Sequence, residues 1–182
     1  LIQGYEVWTG SDVRERVHAA LRLPNRKIAI SAGLARDIEA ALGELGITVV
    51  PNAVDLDQFD APPRPRGEPP TVGFLYARAA IKGADVCARA CALAQQALPG
   101  LRVLAFGADA PSPDLPLPAG TRYHHRPPQD RIASLYAACD AWLFGSRLDS
   151  FGLPILEAMA CRTPVIGVPV GAAPDLLADG VG

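Results

Sequence analysis

Short apolar segments alternate along this chain with stretches of helical periodicity, and this alternation constrains the fold more than any other feature. A short apolar run predicts a buried strand, whereas apolar residues three or four positions apart predict a helix that covers a sheet. Strands separated by helices form a mainly parallel sheet, so the pattern predicts an α/β, Rossmann-like fold. The candidate strands are 27–31, 47–50, 72–77, 101–107, 141–145 and 164–168.

Two of the helical stretches each present one apolar face, which is expected to pack on the sheet. These faces comprise Ile132, Leu135, Tyr136 and Cys139 within 130–139, and Leu34, Ile38 and Leu42 after the first candidate strand. The chain therefore offers both the strands and the covering helices that an α/β sheet needs.

The segment 149–160 reads Asp-Ser-Phe-Gly-Leu-Pro-Ile-Leu-Glu-Ala-Met-Ala and carries two carboxylates eight positions apart around a turn. Gly152 tolerates backbone conformations closed to other residues, and Pro154 suits the first position of a helix, so a loop turning into a helix is predicted. The N–H groups at such a helix start can bind phosphate, and Glu157 can accept hydrogen bonds from a ribose diol. Asp149 can reach another part of the same ligand, which indicates a sugar nucleotide.

The same segment resembles the acidic-x7-acidic signature of retaining glycosyltransferases of the large GT-B family four. The usual form is Glu-Gly-Phe-Gly-Leu-Pro-x-x-Glu-Ala-Met-Ala, from which this chain differs at its first two positions. The resemblance implies that Asp149 contacts the transferred sugar and that Glu157 holds the ribose, which makes these two the candidate catalytic residues. It further implies contacts to phosphate and sugar hydroxyls from Ser150, Phe151, Gly152 and Leu153.

A second motif follows the candidate strand 72–77 and opens a helix. The spacing of Arg78 and Lys82, with a glycine after the lysine, resembles the Arg-x(4,5)-Lys-Gly element with which the family grips the diphosphate. A guanidinium and an ammonium can stabilise the charge on a departing diphosphate without a metal. Cations at a helix start are unfavourable with the helix dipole, and a bound anion would explain them. The alternative is two solvated charges that flank the helix.

Weaker signals surround these motifs. Arg126 ends a short extended run at the place where the family reads the base, although the adjacent His124 and His125 would point to opposite faces of a strand and are more often structural. Arg147 follows the strand 141–145, at the edge where open α/β sheets bind ligands. The segment 171–175 is interpreted as a helix start.

The proline-rich segment 61–70 separates two α/β patterns and is predicted to be a linker or an exposed loop. Residues 51–59 resemble the family's hinge sequence Pro-Asn-Gly-Val-Asp-x-x-x-Phe, with Ala53 in place of glycine. The resemblance implies that residues 1–60 are the tail of an acceptor-binding domain and that residues 71–182 are most of the donor-binding domain. The start at a leucine and the lack of a closing element lead us to expect a fragment.

Composition excludes several classes of function. A formal net charge of −2 and a pI near 5.9 provide no basic surface for nucleic acid. The four cysteines and three histidines lack metal-ligand spacing, so no metal site is predicted and the cysteines are interpreted as buried free thiols. No apolar stretch reaches the ~18 residues of a membrane span, and no signal peptide opens the chain, so a cytoplasmic location is expected.

The resemblance implies the donor half of a retaining, metal-independent GT-B glycosyltransferase that uses no cofactor. It would transfer a hexose from a nucleotide diphosphate sugar to a carbohydrate or lipid-linked acceptor in cell-surface polysaccharide or glycoconjugate synthesis, with peripheral membrane association through the first domain left open. One alternative is a non-catalytic sugar-nucleotide-binding domain, favoured if Asp149 and Ala53 mark lost activity. Another is a flavodoxin-like binding module, which does not explain both Lys82 and Glu157.

Overall fold

The computed structural model of the protein describes residues 1–7, 11–63, 65 and 69–178. Its helices are α1 (Ser11–Leu21), α2 (Ala32–Leu42), α3 (Ala84–Ala97), α4 (Gln129–Ala137), α5 (Leu153–Ala160) and α6 (Ala173–Leu176). Its strands are β1 (Ile28–Ala29), β2 (Thr48–Val49), β3 (Thr71–Leu75), β4 (Arg102–Gly107), β5 (Arg122–His125), β6 (Ala141–Phe144) and β7 (Val165–Gly167). The alternation of strands and helices follows the apolar pattern of the sequence.

Five of the strands form one parallel sheet in the order β5-β4-β3-β6-β7. The predicted α/β class with a parallel sheet is therefore confirmed. Four of its strands coincide with predicted ones, and α4 ends two residues earlier than the predicted stretch 130–139. The sequence interpretation did not include α1, and it treated β5 as an extended run rather than as a strand of the sheet.

Helices cover this sheet on both faces. In β4, Val103 and Ala105 pack in the apolar cluster of α3, whereas Leu104 and Phe106 pack in the cluster of α4 and α5. Because successive side chains of a strand point to opposite faces, α3 lies on one side and α4 and α5 lie on the other. The sheet is thus buried on both faces, as parallel sheets are.

All four cysteines are buried thiols, as predicted. Burial raises the pKa of the Cys87 thiol to about 11 and that of Cys91 to about 12, and both pack from α3 against the sheet. At neutral pH these thiols are protonated and serve as small apolar side chains.

The chain changes its direction of travel across the sheet between β3 and β6. From β3 it passes to β4 and then to β5, after which it returns to add β6 and β7 on the other side of β3. In open α/β sheets a crevice for ligands forms beyond the carboxyl ends of the two strands at such a reversal. Here the crevice is flanked by the loop 76–83 after β3 and the loop 145–152 after β6.

The segment of β1 and α2 packs against the second of these loops. The hydroxyl of Ser31 caps α2 by accepting a hydrogen bond from the amide of Leu34 at 3.1 Å, and it donates to the carbonyl of Ser150 at 2.7 Å. The side chain of Phe151 is buried in the apolar cluster that β1 and α2 form. The loop is therefore fixed by both parts of the chain. The boundary at 61–70 stays a prediction, and four of its residues, together with 179–182, lie outside the described part of the chain.

Candidate active site

The side chains of Lys82 and Asp149 form an ion pair in the crevice between β3 and β6. Lys82 closes the 3₁₀ turn Ala80–Lys82 after β3, and Asp149 lies on the loop after β6. Lys82 Nζ donates to Asp149 Oδ2 at 2.9 Å, while Asp149 Oδ1 accepts from the amide of Phe151 at 3.2 Å. The Lys82 side chain is 38% exposed and that of Asp149 is 15% exposed. The ammonium is thus open to a ligand, and the carboxylate is held in a fixed position.

Gly83 permits the close contact between the two loops. Its φ of 62° lies in the left-handed region, and a Cβ at this position would stand 1.8 Å from the carbonyl oxygen of Gly145. The amides of Arg147 and Leu148 donate to the carbonyl of Ile81 at 2.8 and 3.3 Å. The structure therefore explains why a glycine follows the lysine in the motif: any side chain there would push the loop of Asp149 away.

Arg147 links the loops 145–152 and 76–83 through hydrogen bonds on their exposed side. Its guanidinium donates to the carbonyl of Ala80 at 2.8 Å and to both carboxylate oxygens of Asp85 on α3. The hydrogen bonds from Arg147 hold the pKa of Asp85 below its usual value. A bidentate arginine fixes orientation as well as distance. Arg147 therefore supports the turn that carries Lys82.

The helix α5 begins directly after this loop. Gly152 is its N-cap with φ 95°, and Pro154 occupies the second helical position, one later than the sequence predicted. The shift is tolerated because none of the first four N–H groups of a helix has a partner within the helix. The amide of Phe151, predicted to face the ligand, donates to Asp149 in this structure.

A pocket of about 420 Å³ lies over the ion pair, a size that suits a small ligand. One wall comes from the first 60 residues and the other from the two crevice loops. The lining residues are Gln3, Glu6, Ile30 and Asn52 on the first wall and Ile81, Lys82 and 148–154 on the second. The structure thus brings six of the predicted site residues to one pocket: Lys82, Asp149, Ser150, Phe151, Gly152 and Leu153.

Glu157 lies one turn inside α5 and does not line this pocket. Its carboxylate Oε2 accepts a hydrogen bond of 2.7 Å from the hydroxyl of Tyr136 on α4. Burial raises the pKa of Glu157, and the hydrogen bond from Tyr136 opposes that rise. Glu157, which is predicted to bind the ribose, therefore has a half-buried carboxylate, and one of its oxygens is already hydrogen-bonded to Tyr136.

The two predicted arginines lie apart from the ion pair. Arg78 is exposed and lines a neighbouring pocket of about 340 Å³, which also includes Asp85 and Arg147. Arg126 follows β5 with a left-handed φ of 48°, and its Nε donates to the carbonyl of Ala108 at 3.0 Å. The structure therefore groups the lysine and the first carboxylate, while these arginines lie in other places. Their roles in binding stay predictions.

Sequence reasoning missed the contacts of two residues. Tyr136 was assigned only to the apolar face of a helix, and Arg147 only to a loop near the ligand edge. Tyr136 is 21 positions from Glu157, and Arg147 is 62 positions from Asp85, so no local spacing pattern links either pair. The position of Arg147 after a strand was the only signal available.

The described residues contain neither a metal-binding cluster nor a membrane-spanning helix. Within residues 1–7, 11–63, 65 and 69–178, no group of three or more His, Cys, Asp or Glu side chains is placed to hold a metal ion. None of the helices in those same ranges has the length and apolarity to cross a membrane.

The crevice, the ion pair and the loop that turns into α5 form one candidate site, and comparison of the sequence gives the family. Residues 57–182 match the family described as Glycosyl transferases group 1. Because this match spans more than half of the chain, the chain belongs to that family.

Curated relatives are longer than this chain. The D-inositol 3-phosphate glycosyltransferase of Mycolicibacterium smegmatis is 37% identical over 155 residues, which cover 74% of this chain and 35% of the relative. The protein of the same name from Actinosynnema mirum is 35% identical over 161 residues, which cover 74% of this chain and 38% of the relative. The chain therefore spans little more than a third of the length of these relatives.

Solved structures share the fold. A sucrose-phosphate synthase from Thermosynechococcus elongatus matches 93% of this chain and 47% of its own with a TM-score of 0.70 and 20% identity. A point mutant of S. aureus TarM, solved with fondaparinux, alpha-GlcNAc-glycerol and UDP, matches 96% of this chain and 36% of its own with a TM-score of 0.75 and 14% identity. These likenesses establish the fold as that of GT-B glycosyltransferases.

Proposed function

We propose that this chain is the donor-binding half of a retaining glycosyltransferase, which transfers a hexose from a nucleotide diphosphate sugar to a carbohydrate or lipid-linked acceptor. The observation that carries the proposal is the Lys82–Asp149 ion pair at the sheet reversal, beside the start of α5. Membership of the group 1 family supports glycosyl transfer. Retention and the acceptor class rest on the resemblance of the motif 149–160.

Lys82 is proposed to stabilise the leaving diphosphate. When the bond between the anomeric carbon and the diphosphate oxygen breaks, its electron pair stays on that oxygen, so negative charge builds on the diphosphate. A cation already held in place stabilises this charge without reorganisation. The positive end of the α5 dipole follows the other loop, that of Asp149, lines the same pocket and adds to the effect. In this scheme side chains and main-chain amides neutralise the charge, and no metal is needed.

Asp149 is proposed to bind the sugar, and Glu157 the ribose. An ionised carboxylate is a pure acceptor with several lone pairs, so Asp149 can accept from sugar hydroxyls while it keeps its contacts with Lys82 and the Phe151 amide. Glu157 retains Oε1 for the ribose diol, because the contact with Tyr136 uses Oε2.

The acceptor is proposed to enter the 420 Å³ pocket from the side of residues 1–60, which we interpret as the tail of an acceptor-binding domain. Gln3, Glu6 and Asn52 present polar groups on that wall. A relative is named for D-inositol 3-phosphate, and a structural neighbour holds UDP, which supports a hydroxyl-bearing acceptor and a nucleotide diphosphate donor. We propose that the protein acts in the cytoplasm in the synthesis of cell-surface polysaccharide or glycoconjugate.

Calorimetric titration of the chain with UDP, GDP and ADP, each with and without EDTA, tests the donor site. We expect at least one of the three to bind, and EDTA to leave its affinity unchanged. Loss of binding on chelation would contradict the metal-free scheme. No binding of any of the three would contradict the donor site itself.

Two carboxylate variants test the assignment of roles. Glu157→Gln should lower the affinity for the nucleoside diphosphate and for the sugar nucleotide alike, because both contain the ribose. Asp149→Asn should lower the affinity for the sugar nucleotide only, since an amide oxygen can still accept from Lys82. Circular dichroism checks the fold of both variants. Equal weakening of the bare diphosphate by the two variants would show that the roles are wrongly divided.

A further inference from the structure

We propose that Tyr136 is a positioning residue that sets the preference of the site for ribose, by holding the carboxylate of Glu157 in one orientation. The proposal rests on the proposed function, because it assumes that Glu157 accepts hydrogen bonds from the ribose of the donor. Nothing in the resemblance of the motifs assigns this role to Tyr136, which the sequence predicts only as a core residue.

The ring of Tyr136 is buried among three aromatic side chains. It is 1% exposed and makes edge contacts with Trp142, Phe106 and Phe59 at centroid distances of 4.5, 5.4 and 6.3 Å. The carbonyl of the same residue accepts a hydrogen bond of 2.8 Å from the hydroxyl of Thr163. The phenolic oxygen therefore has little freedom to move, and its 2.7 Å contact defines where Glu157 Oε2 lies.

The single hydroxyl proton of Tyr136 makes the two oxygens of the Glu157 carboxylate inequivalent. A tyrosine hydroxyl has one proton to donate, and here that proton points to Oε2, so Oε1 is left for donors from the ligand. Burial and the nearby charge of Glu157 raise the pKa of Tyr136 well above its ordinary value, so the hydroxyl remains a donor at neutral pH. The same hydrogen bond opposes the effect of burial on Glu157 and favours the ionised carboxylate.

The competing interpretation is that Tyr136 only fills the core, and Tyr76 provides the matched control. Tyr76 is also 1% exposed, and it lies on the opposite face of the sheet, in the cluster of α3. Its hydroxyl donates to the carbonyl of Leu115 at 2.8 Å and has no part in the contact with Glu157. Tyr76→Phe therefore removes an equally buried hydroxyl without touching the carboxylate.

The experiment compares wild type, Tyr136→Phe and Tyr76→Phe in titrations with two probes. One probe is the ribonucleoside diphosphate that binds most tightly among UDP, GDP and ADP, and the other is its 2′,3′-dideoxy counterpart. We expect wild type to prefer the ribose form. In Tyr136→Phe that preference should fall by about two- to tenfold, the effect of one hydrogen bond, with the dideoxy affinity retained. Tyr76→Phe should keep the wild-type preference.

A double-mutant cycle with Glu157→Gln provides the second arm. In the Glu157→Gln background, Tyr136→Phe should cause no further loss of ribose preference, because the two residues act through one contact. Equal weakening of both probes by Tyr136→Phe, or additive losses in the double variant, would overturn the positioning role. Wild-type binding without ribose preference would overturn it too, while leaving the phosphate site intact. Absence of nucleotide binding would overturn the proposed function as well.

Discussion

Replacing Lys82 by alanine tests the centre of the proposed site, and the chain offers a natural control. It contains only two lysines, Lys27 and Lys82. The ammonium of Lys27 donates to the carbonyl oxygens of Leu23 and Asn25 at 2.9 and 3.1 Å and takes no part in the ion pair with Asp149. We expect Lys82→Ala to weaken nucleoside diphosphate binding and Lys27→Ala to leave it unchanged.

The size of the effect follows from the contacts that Lys82 already makes. A hydrogen bond to a charged group contributes about 1.5–3 kcal/mol. The ligand must share the ammonium with Asp149, and because this pair is partly exposed we assign it about 0.5 kcal/mol. The net loss in Lys82→Ala is then roughly 1–2.5 kcal/mol, which corresponds to about a five- to seventyfold weaker Kd. Nucleoside binding should be unaffected, because the ammonium is proposed to contact phosphate and not the nucleoside.

Two measurements check this prediction. Calorimetry gives the affinities of nucleoside and diphosphate for each variant, and mass spectrometry after lysine acetylation reports which ammonium the ligand covers. Bound diphosphate should protect Lys82 and leave Lys27 reactive. Equal loss of nucleoside and diphosphate affinity would indicate a folding defect. Recovery of affinity in the double variant Lys82→Ala, Asp149→Asn would refute the phosphate contact, since Lys82 would then serve only to neutralise Asp149.

Three further predictions concern the support of the site. Arg147→Ala should lower diphosphate affinity in calorimetry and leave ribose preference intact, while the unfolding free energy should change little because its pair with Asp85 is exposed. Gly83→Ala should lower the urea midpoint more than Gly120→Ala, because both have positive φ but only Gly83 faces a carbonyl oxygen. Burial raises the pKa of Glu157 above 4.5, so the wild type should lose stability relative to Glu157→Gln as the pH rises above that value, as urea titrations can show.

Much of the fold could be predicted because its signals are local. Each central strand is an apolar run, and the closely spaced glycine and proline of 149–160 favour a turn into a helix. The edge strand β5 was missed as part of the sheet because its sequence, Arg-Tyr-His-His, is polar. Its first and last residues are exposed, and among the strands of the described residues it pairs with β4 alone. An edge strand needs little apolar surface, so β5 is recognised as a strand by its pairing with β4 and not by its composition.

The sequence named six of the residues that line the candidate pocket, but it did not indicate the contacts between them. Lys82 was assigned to the diphosphate and Asp149 to the sugar of one ligand, and nothing in a spacing of 67 positions indicates that they touch. Their contact depends on the parallel pairing of β3 with β6 and on Gly83, which allows the two loops to approach. The contact of Tyr136 with Glu157 likewise depends on how α4 crosses α5. Periodicity identifies the buried face of a helix, but it cannot show the partner of one hydroxyl.

Which loop carries the lysine and which carries the carboxylate matters to the proposed reaction as much as the Lys82–Asp149 ion pair itself. As the glycosidic bond to the diphosphate breaks, negative charge grows on the diphosphate and positive character grows on the sugar. A lysine beside the first and a carboxylate beside the second stabilise both changes. Exchanging the residues, Lys82→Asp with Asp149→Lys, keeps an ion pair across the loops and should keep most of the unfolding free energy. It should abolish diphosphate binding in calorimetry, whereas retained binding would show that the pair only braces the loops.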